Sequence, residues 1–481
     1  MPWFVSSGAA CALALAAIAP LTPAPAHADD APYSAAVQGG SGRACTDSAL
    51  ALTFPTPPTL GDSGRIEVHR ADGSVADSID LADPATYQRT IGGATDASGA
   101  PHEFSYTPVI IAGGTATIYL HHQLDYDQHY YVTVDPGVFN GFAGISNPDA
   151  FAFRTRTRPP RTDARTLVVD ARGHGDFCTV QGAIDAVPPG DTKPVTIRVG
   201  PGTYTELDWV PPTKPHLTVE GVGQGRTVIQ YTNNNTLNSA HTTSVCIRQL
   251  IPGHDANNCW RGAFNDEADD FTLRDLTIRN TTPYGGSQAE AFRGNADRIT
   301  LDRVSLFSYQ DTLRLQGRGF VTHSVIEGDV DFTWGFGAVL IQDSELRSLH
   351  AGYVTQVRND ATHHGYVFLR DRLTAAPTVP AGSVYLGRID PTVYPYSQAV
   401  FIDTAMGPQI APAGWQLDNA DCSRGGTLQF DEYHSTDLAG APVDTSARLA
   451  CSTQLTAAQA AVWSDPSTVL DGWDPTPGRN S

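Results

Sequence analysis

Apolar and polar residues alternate along most of this chain in short runs, as at residues 49–54 (ALALTF), 117–120 (TIYL) and 130–134 (YYVTV). A period of two with β-branched and aromatic residues, broken by Gly, Asp and Pro, predicts strands joined by turns. Up to residue 154 these strands are short and closely spaced, which suits a small β-sandwich over residues 29–154. Residues 155–165 (TRTRPPRTDAR) are rich in Pro and Arg and read as a linker. Beyond them the pattern changes. A strand, a small or polar turn residue and a second short strand recur at 271–278, 299–306, 320–326, 339–346 and 366–373. Irregular repeats of roughly twenty to thirty residues are expected of a parallel β-helix, whose coils stack on one another. A second sandwich would turn at shorter and more regular intervals. The expected fold is therefore all-β: a β-helix over residues 166–481 preceded by a sandwich.

Composition adds the setting. Residues 11–21 are apolar but too few to span a membrane, and Ala26-His27-Ala28 offers a cleavage site. Residues 1–28 thus read as an export signal, though without the usual Lys or Arg near Met1. No later stretch is long and apolar enough for a membrane helix, so a secreted protein without a membrane partner is expected. The net charge of −20 argues against nucleic acid, which needs clustered Lys and Arg. Six cysteines follow the signal: Cys45, Cys178, Cys246, Cys259, Cys422 and Cys451. An even number after export favours disulfides over metal ligands. Cys246–Cys259 and Cys422–Cys451 are the neighbouring pairings, with fifteen connectivities open for six cysteines. With no CxxC or Cys/His cluster, no structural zinc is expected, and chemistry run on carboxylates, amides and water implies no other metal or cofactor. Gly61-Asp62-Ser63-Gly64 resembles a protease nucleophile segment, but a turn before the strand Ile66-Glu67-Val68 explains it.

The chemistry is carried by two aspartates. Asp311 (in Tyr309-Gln310-Asp311-Thr312-Leu313) and Asp331 (in Gly328-Asp329-Val330-Asp331-Phe332) fall on successive predicted coils. Stacked strands lie about 4.8 Å apart, which makes equivalent side chains near neighbours. Two charges about 5 Å apart at an effective dielectric of about 20 repel by roughly 3 kcal/mol, about two pKa units. One carboxyl then stays protonated while the other is ionised. Ester cleavage uses both forms, an acid for the leaving alcohol and a nucleophile for the carbonyl. The competing reading is structural, because Asp often occupies β-helix turns. Asp275, Asp302 and Asp343 are expected to do only that, Glu206 to be structural, and His350, His363 and His364 to be solvated loop residues.

These segments resemble the pectinesterase family. Gly202-Thr203-Tyr204-Thr205-Glu206, Gln288-Ala289-Glu290-Ala291, the Gln-Asp-Thr-Leu and Val-Asp-Phe blocks, and Leu386-Gly387-Arg388 occur in the family's order. Gly414-Trp415 and residues 427–433 fit its C-terminal portion. The resemblance covers about 166–475 and implies a right-handed parallel β-helix that removes methyl esters from pectin. It makes Asp331 the nucleophile, oriented by Arg388. Asp311 becomes the acid and then the base, and Gln288 and Gln310 the oxyanion donors. The preceding residues, through YYVTVDPGVFNGFAG, resemble bacterial Ig-like modules.

The chain departs from the family where the sugar is gripped. Ile389-Asp390 stands in place of Pro-Trp after Leu-Gly-Arg, Arg314 in place of Tyr, and Thr333-Trp334-Gly335 in place of Ile-Phe-Gly. Phe332, Trp334 and Arg314 are the expected substrate contacts. Trp334 would supply aromatic surface and Arg314 would pair with a free galacturonate carboxylate. The acidic chain would repel de-esterified polygalacturonate, favouring a methylated polymer as the partner of a monomeric enzyme. The alternatives are an esterase or thioesterase on another ester, a lyase or polygalacturonase on the same scaffold, and an adhesion protein. A lyase would need Ca²⁺-binding carboxylates and a basic residue for the C5 proton, and the motif set does not match either.

Overall fold

The first described strands form two antiparallel sheets. A computed structural model describes residues 33–95, 101–161, 163–235, 261–424 and 426–476. The expected signal and the Cys246–Cys259 pairing lie outside them. In one sheet Ser34–Val37, Leu50–Thr53, Thr115–Ile118 and Val109–Ala112 lie side by side; in the other, Ala152–Arg154, His129–Val134, Arg65–Arg70 and Val75–Asp80 do. Alternation puts Leu50, Leu52, Ile66, Val68, Ile118, Val132 and Phe153 into a shared core.

A hairpin of Arg89–Thr95 and Pro101–Tyr106 leaves this sandwich. Its Ile91 and Tyr106 join the core of the second part, with Tyr106 edge-on to Tyr231 at 5.6 Å. The two parts are also tied covalently by a Cys45–Cys178 disulfide, while Cys422–Cys451 closes the expected local loop. Asp47, from the sandwich, accepts hydrogen bonds from the backbone N–H groups of Cys178 and Thr179 at 3.0 and 2.7 Å. The start of the expected linker is fastened too. Thr155 is buried, and Arg156 donates to the carbonyls of Gly173 and Gly175.

The second part is a parallel β-helix. An eight-stranded sheet stacks Asp208–Val210, Phe264–Asp266, Phe292–Gly294, Leu313–Leu315, Thr333–Gly335, Gly352–Val357, Val384–Ile389 and Trp415–Leu417. An eighteen-stranded parallel sheet makes up the rest of the coil wall. Inside, register partners on adjacent coils stack, as Phe264 on Phe292 (5.8 Å) and Phe368 on Phe401 (4.3 Å), and Trp415 stacks on Phe430 of the other sheet (4.5 Å). Asp275, Arg303, His323, Asp343, Arg370, Asp403 and His434 take the same left-handed conformation at one bend, with φ between 50° and 57°. Asp tolerates this geometry, and alternation with cations turns the bend into an ion-pair ladder, as in Arg303–Asp275 (2.7 Å) and Arg370–Asp343 (2.8 Å). Asp302 joins it through Arg303 at 2.5 Å.

Candidate active site

Asp311 and Asp331 lie two residues before the strands Leu313–Leu315 and Thr333–Gly335, which pair in register as Leu313 to Thr333. Both are left-handed (φ 68° and 50°), and the Asp311 N–H bonds the Val330 carbonyl at 3.0 Å. The carboxyls therefore occupy equivalent places on adjacent coils, one strand spacing apart, and both are buried (7% and 4% exposed).

Each carboxyl has its own guanidinium. Arg388 grips Asp331 with two nitrogens, Nε to Oδ1 at 2.9 Å and Nη2 to Oδ2 at 2.7 Å. Arg261 reaches Asp311 Oδ2 through Nη2 at 2.8 Å. Burial drives the Asp311 carboxyl up to about 8; Arg261 opposes this, while Glu290 and Asp331 add to it. Burial also raises Asp331, with the Arg388 hydrogen bonds and charge pulling against it. The bidentate ion pair makes Asp331 the better-stabilised anion, which leaves Asp311 to hold a proton near neutrality. Gln288 and Gln310 lie on neighbouring coils, the Ala289 N–H bonding the Gln310 carbonyl at 3.1 Å, and both are partly buried.

The family model for pectinesterases matches residues 166–465. The chain belongs to the pectinesterase family. Pectinesterase 31 of Arabidopsis thaliana is 33% identical over 273 residues, 56% of this chain and 82% of that protein. Among solved structures, the pectin methylesterase from carrot matches with a TM-score of 0.54 and 26% identity, over 66% of this chain and 95% of that one. A pectin methylesterase in complex with a hexasaccharide matches with a TM-score of 0.51 and 27% identity, over 66% and 99%. The family's β-helix thus accounts for the second part of the chain, and the sandwich lies outside the matched residues.

Against the family frame, the expected sugar contacts need correction. Phe332 is fully buried in the β-helix core, where Gly328 makes room for it: a Cβ there would lie 2.2 Å from that of Phe332. Arg314 and Trp334 do point to the outer row of their sheet, paired in register, but both are covered (0% and 2% exposed). Three guanidiniums surround the indole, Arg314 at 4.7 Å, Arg358 at 4.8 Å and Arg261 at 5.1 Å. Cation–π stacking holds these side chains to one another and leaves no free aromatic face. Trp334 therefore packs against Arg261, the arginine that holds Asp311.

Glu206 is structural, as expected: it accepts the N–H groups of Val180 and Gln181 at 2.9 and 3.1 Å, at the start of helix Val180–Ala186. His363 and His364 face Asp471 at 3.9 and 3.7 Å. His350 is more than a solvated loop residue. It stacks on Tyr284 at 3.8 Å, lies 5.7 Å from Tyr309, and meets Asp329 at 3.3 Å. Sequence reasoning missed Arg261 and Glu290 as partners of Asp311. The usable signal was Glu290 itself, an acid between two alanines where the family motif is apolar.

Proposed function

We propose that this chain is a secreted, monomeric pectin methylesterase that hydrolyses the methyl esters of homogalacturonan through Asp331. The carrying observation is the pair of buried carboxyls on adjacent coils, one held by Arg388 as an anion and the other pushed up to about 8. The ionised Asp331 attacks the ester carbonyl carbon, and the charge that develops on its oxygen meets the Gln288 and Gln310 amides. The carbon–methoxy bond breaks as Asp311 gives its proton to the departing oxygen, releasing methanol. Asp311, now ionised, takes a proton from water as that water attacks the acyl carbon. Asp331 leaves as a carboxylate, and the galacturonyl acid is free. Residues 29–154 are read as an appended Ig-like module and residues 166–481 as the catalytic domain.

Methanol release from methyl-esterified pectin tests this reading. Wild type releases methanol without forming unsaturated or shortened chains, and Asp331→Asn, which suits the same left-handed backbone, releases none above background. Chain shortening without methanol refutes the assignment and favours a lyase or hydrolase.

A further inference from the structure

The two guanidiniums that serve the carboxyl pair keep different company. Arg388 has a second acid only at a distance, Asp418 at 3.7 Å, and both side chains are about a quarter exposed (26% and 27%). Arg261 is almost wholly buried, and both its Nε and its Nη2 lie 2.9 Å from Glu290 Oε1. Glu290 is fully buried, and its Oε2 has no hydrogen-bond partner among the described residues. Among the described residues, Arg261 thus meets two buried carboxyls at once, with two contacts to Glu290 and one to Asp311. Arg358 also acts on Asp311 with its charge, while burial and the neighbouring Asp331 push the other way, so the company Arg261 keeps decides how much positive charge reaches Asp311.

We propose that Arg261 and Glu290 form a positioning pair for the acid: the guanidinium fixes the Asp311 carboxyl, and Glu290 offsets the guanidinium's charge so that Asp311 keeps its proton. The geometry also says where that proton sits. Oδ2 accepts the Arg261 N–H, so Oδ1 is the oxygen left to carry hydrogen and face the leaving alcohol. Without Glu290 the same arginine would act on Asp311 as Arg388 acts on Asp331 and would turn an acid into a second anion. The inference rests on the reading of Asp311 as the acid of an esterase.

The test is kcat/KM for methanol release across about pH 4 to 10, in wild type, Glu290→Gln and Arg261→Gln, with Asp311→Asn as control. Glu290→Gln leaves the cation unopposed, so the alkaline limb moves to lower pH by about 1–2 units; Arg261→Gln removes the cation and moves it to higher pH by a similar amount. Opposite displacements support the pair. An unmoved limb, or both limbs moving the same way, overturns it, because lost packing alone lowers activity without that sign pattern. If wild type releases no methanol, or Asp311→Asn is fully active, the esterase reading itself fails and takes the proposal with it. If Arg261→Gln does not fold, Arg261→Lys replaces it. That variant keeps the charge but not the fork, so kcat falls while the limb stays within about half a unit. A lysine limb displaced by a unit or more overturns the proposal.

Discussion

Removing Arg388 should raise the pH below which the nucleophile is lost. Asp331 is 4% exposed, and burial already raises its proton affinity. The bidentate Arg388 contact is the first force holding it down. Charge centres about 4 Å apart at an effective dielectric of about 20 attract by about 4 kcal/mol. Arg388 is 26% exposed at its side chain, so water screens part of this; about half, roughly 2 kcal/mol, corresponds to about 1–2 pKa units. In Arg388→Ala, Asp331 therefore binds its proton at higher pH. The acid limb of kcat/KM moves up by about 1–2 units, and activity below the limb drops about 10–100-fold. Above the new limb the loss is smaller and reflects orientation alone. Initial-rate methanol release across pH, with saturation checked at each point, reads both effects. A uniform fall at every pH with an unmoved limb would refute the electrostatic role and leave Arg388 as a purely steric guide.

Three further predictions concern the scaffold. Glu206 is buried with a folded pKa raised from 4.5 to about 7, chiefly by burial and against the Val180 and Gln181 N–H groups. Its protonated form is favoured by folding, so that stability is fully present below about pH 4.5 and is lost as pH rises through 7, together with that of Asp208, whose carboxyl is raised by burial and by Glu206. Urea unfolding at pH 5 and 7.5 should show this slope and its reduction in Glu206→Gln; an identical slope in the variant contradicts it. Opening the Cys45–Cys178 bridge by a double Ser substitution should cost about 2–5 kcal/mol, seen as a lower Tm, because the bridge closes a long loop between sandwich and β-helix. An unchanged Tm would mean that the Asp47 and Arg156 contacts suffice. Trp334→Ala should destabilise by about 3–5 kcal/mol and lower kcat more than it raises KM. A pure KM effect would restore Trp334 as a sugar platform.

Much of this architecture is legible in the chain because strand periodicity is local. Residues 271–278 and 299–306 show their inward faces by simple alternation, and the same repeats align Asp311 with Asp331. Legibility stops where contacts join distant segments. Cys45 meets Cys178 across 133 residues, and no spacing rule selects that pairing among the alternatives. Trp334 reads as exposed aromatic surface because its row faces outward. Its burial arises from Arg261 and Arg358, which come from segments outside that strand. Arg261 belongs to no motif, and its role becomes visible only when folding sets it beside Glu290 and Asp311. The Ile91–Tyr106 contribution to the β-helix core is likewise hidden, since the hairpin's sequence reads as part of the sandwich.

The covalent step at Asp331 is the centre of the account, and product partitioning tests it most directly. Methyl and ethyl esters of the same oligogalacturonide are hydrolysed with added hydroxylamine, the enzyme-free reaction is subtracted, and hydroxamate and acid products are counted. A shared Asp331 acyl-enzyme has already lost its alcohol, so the account predicts one hydroxamate-to-acid ratio for both esters. A ratio that changes with the alcohol would mean that water and hydroxylamine attack the intact ester, and would contradict the aspartyl nucleophile.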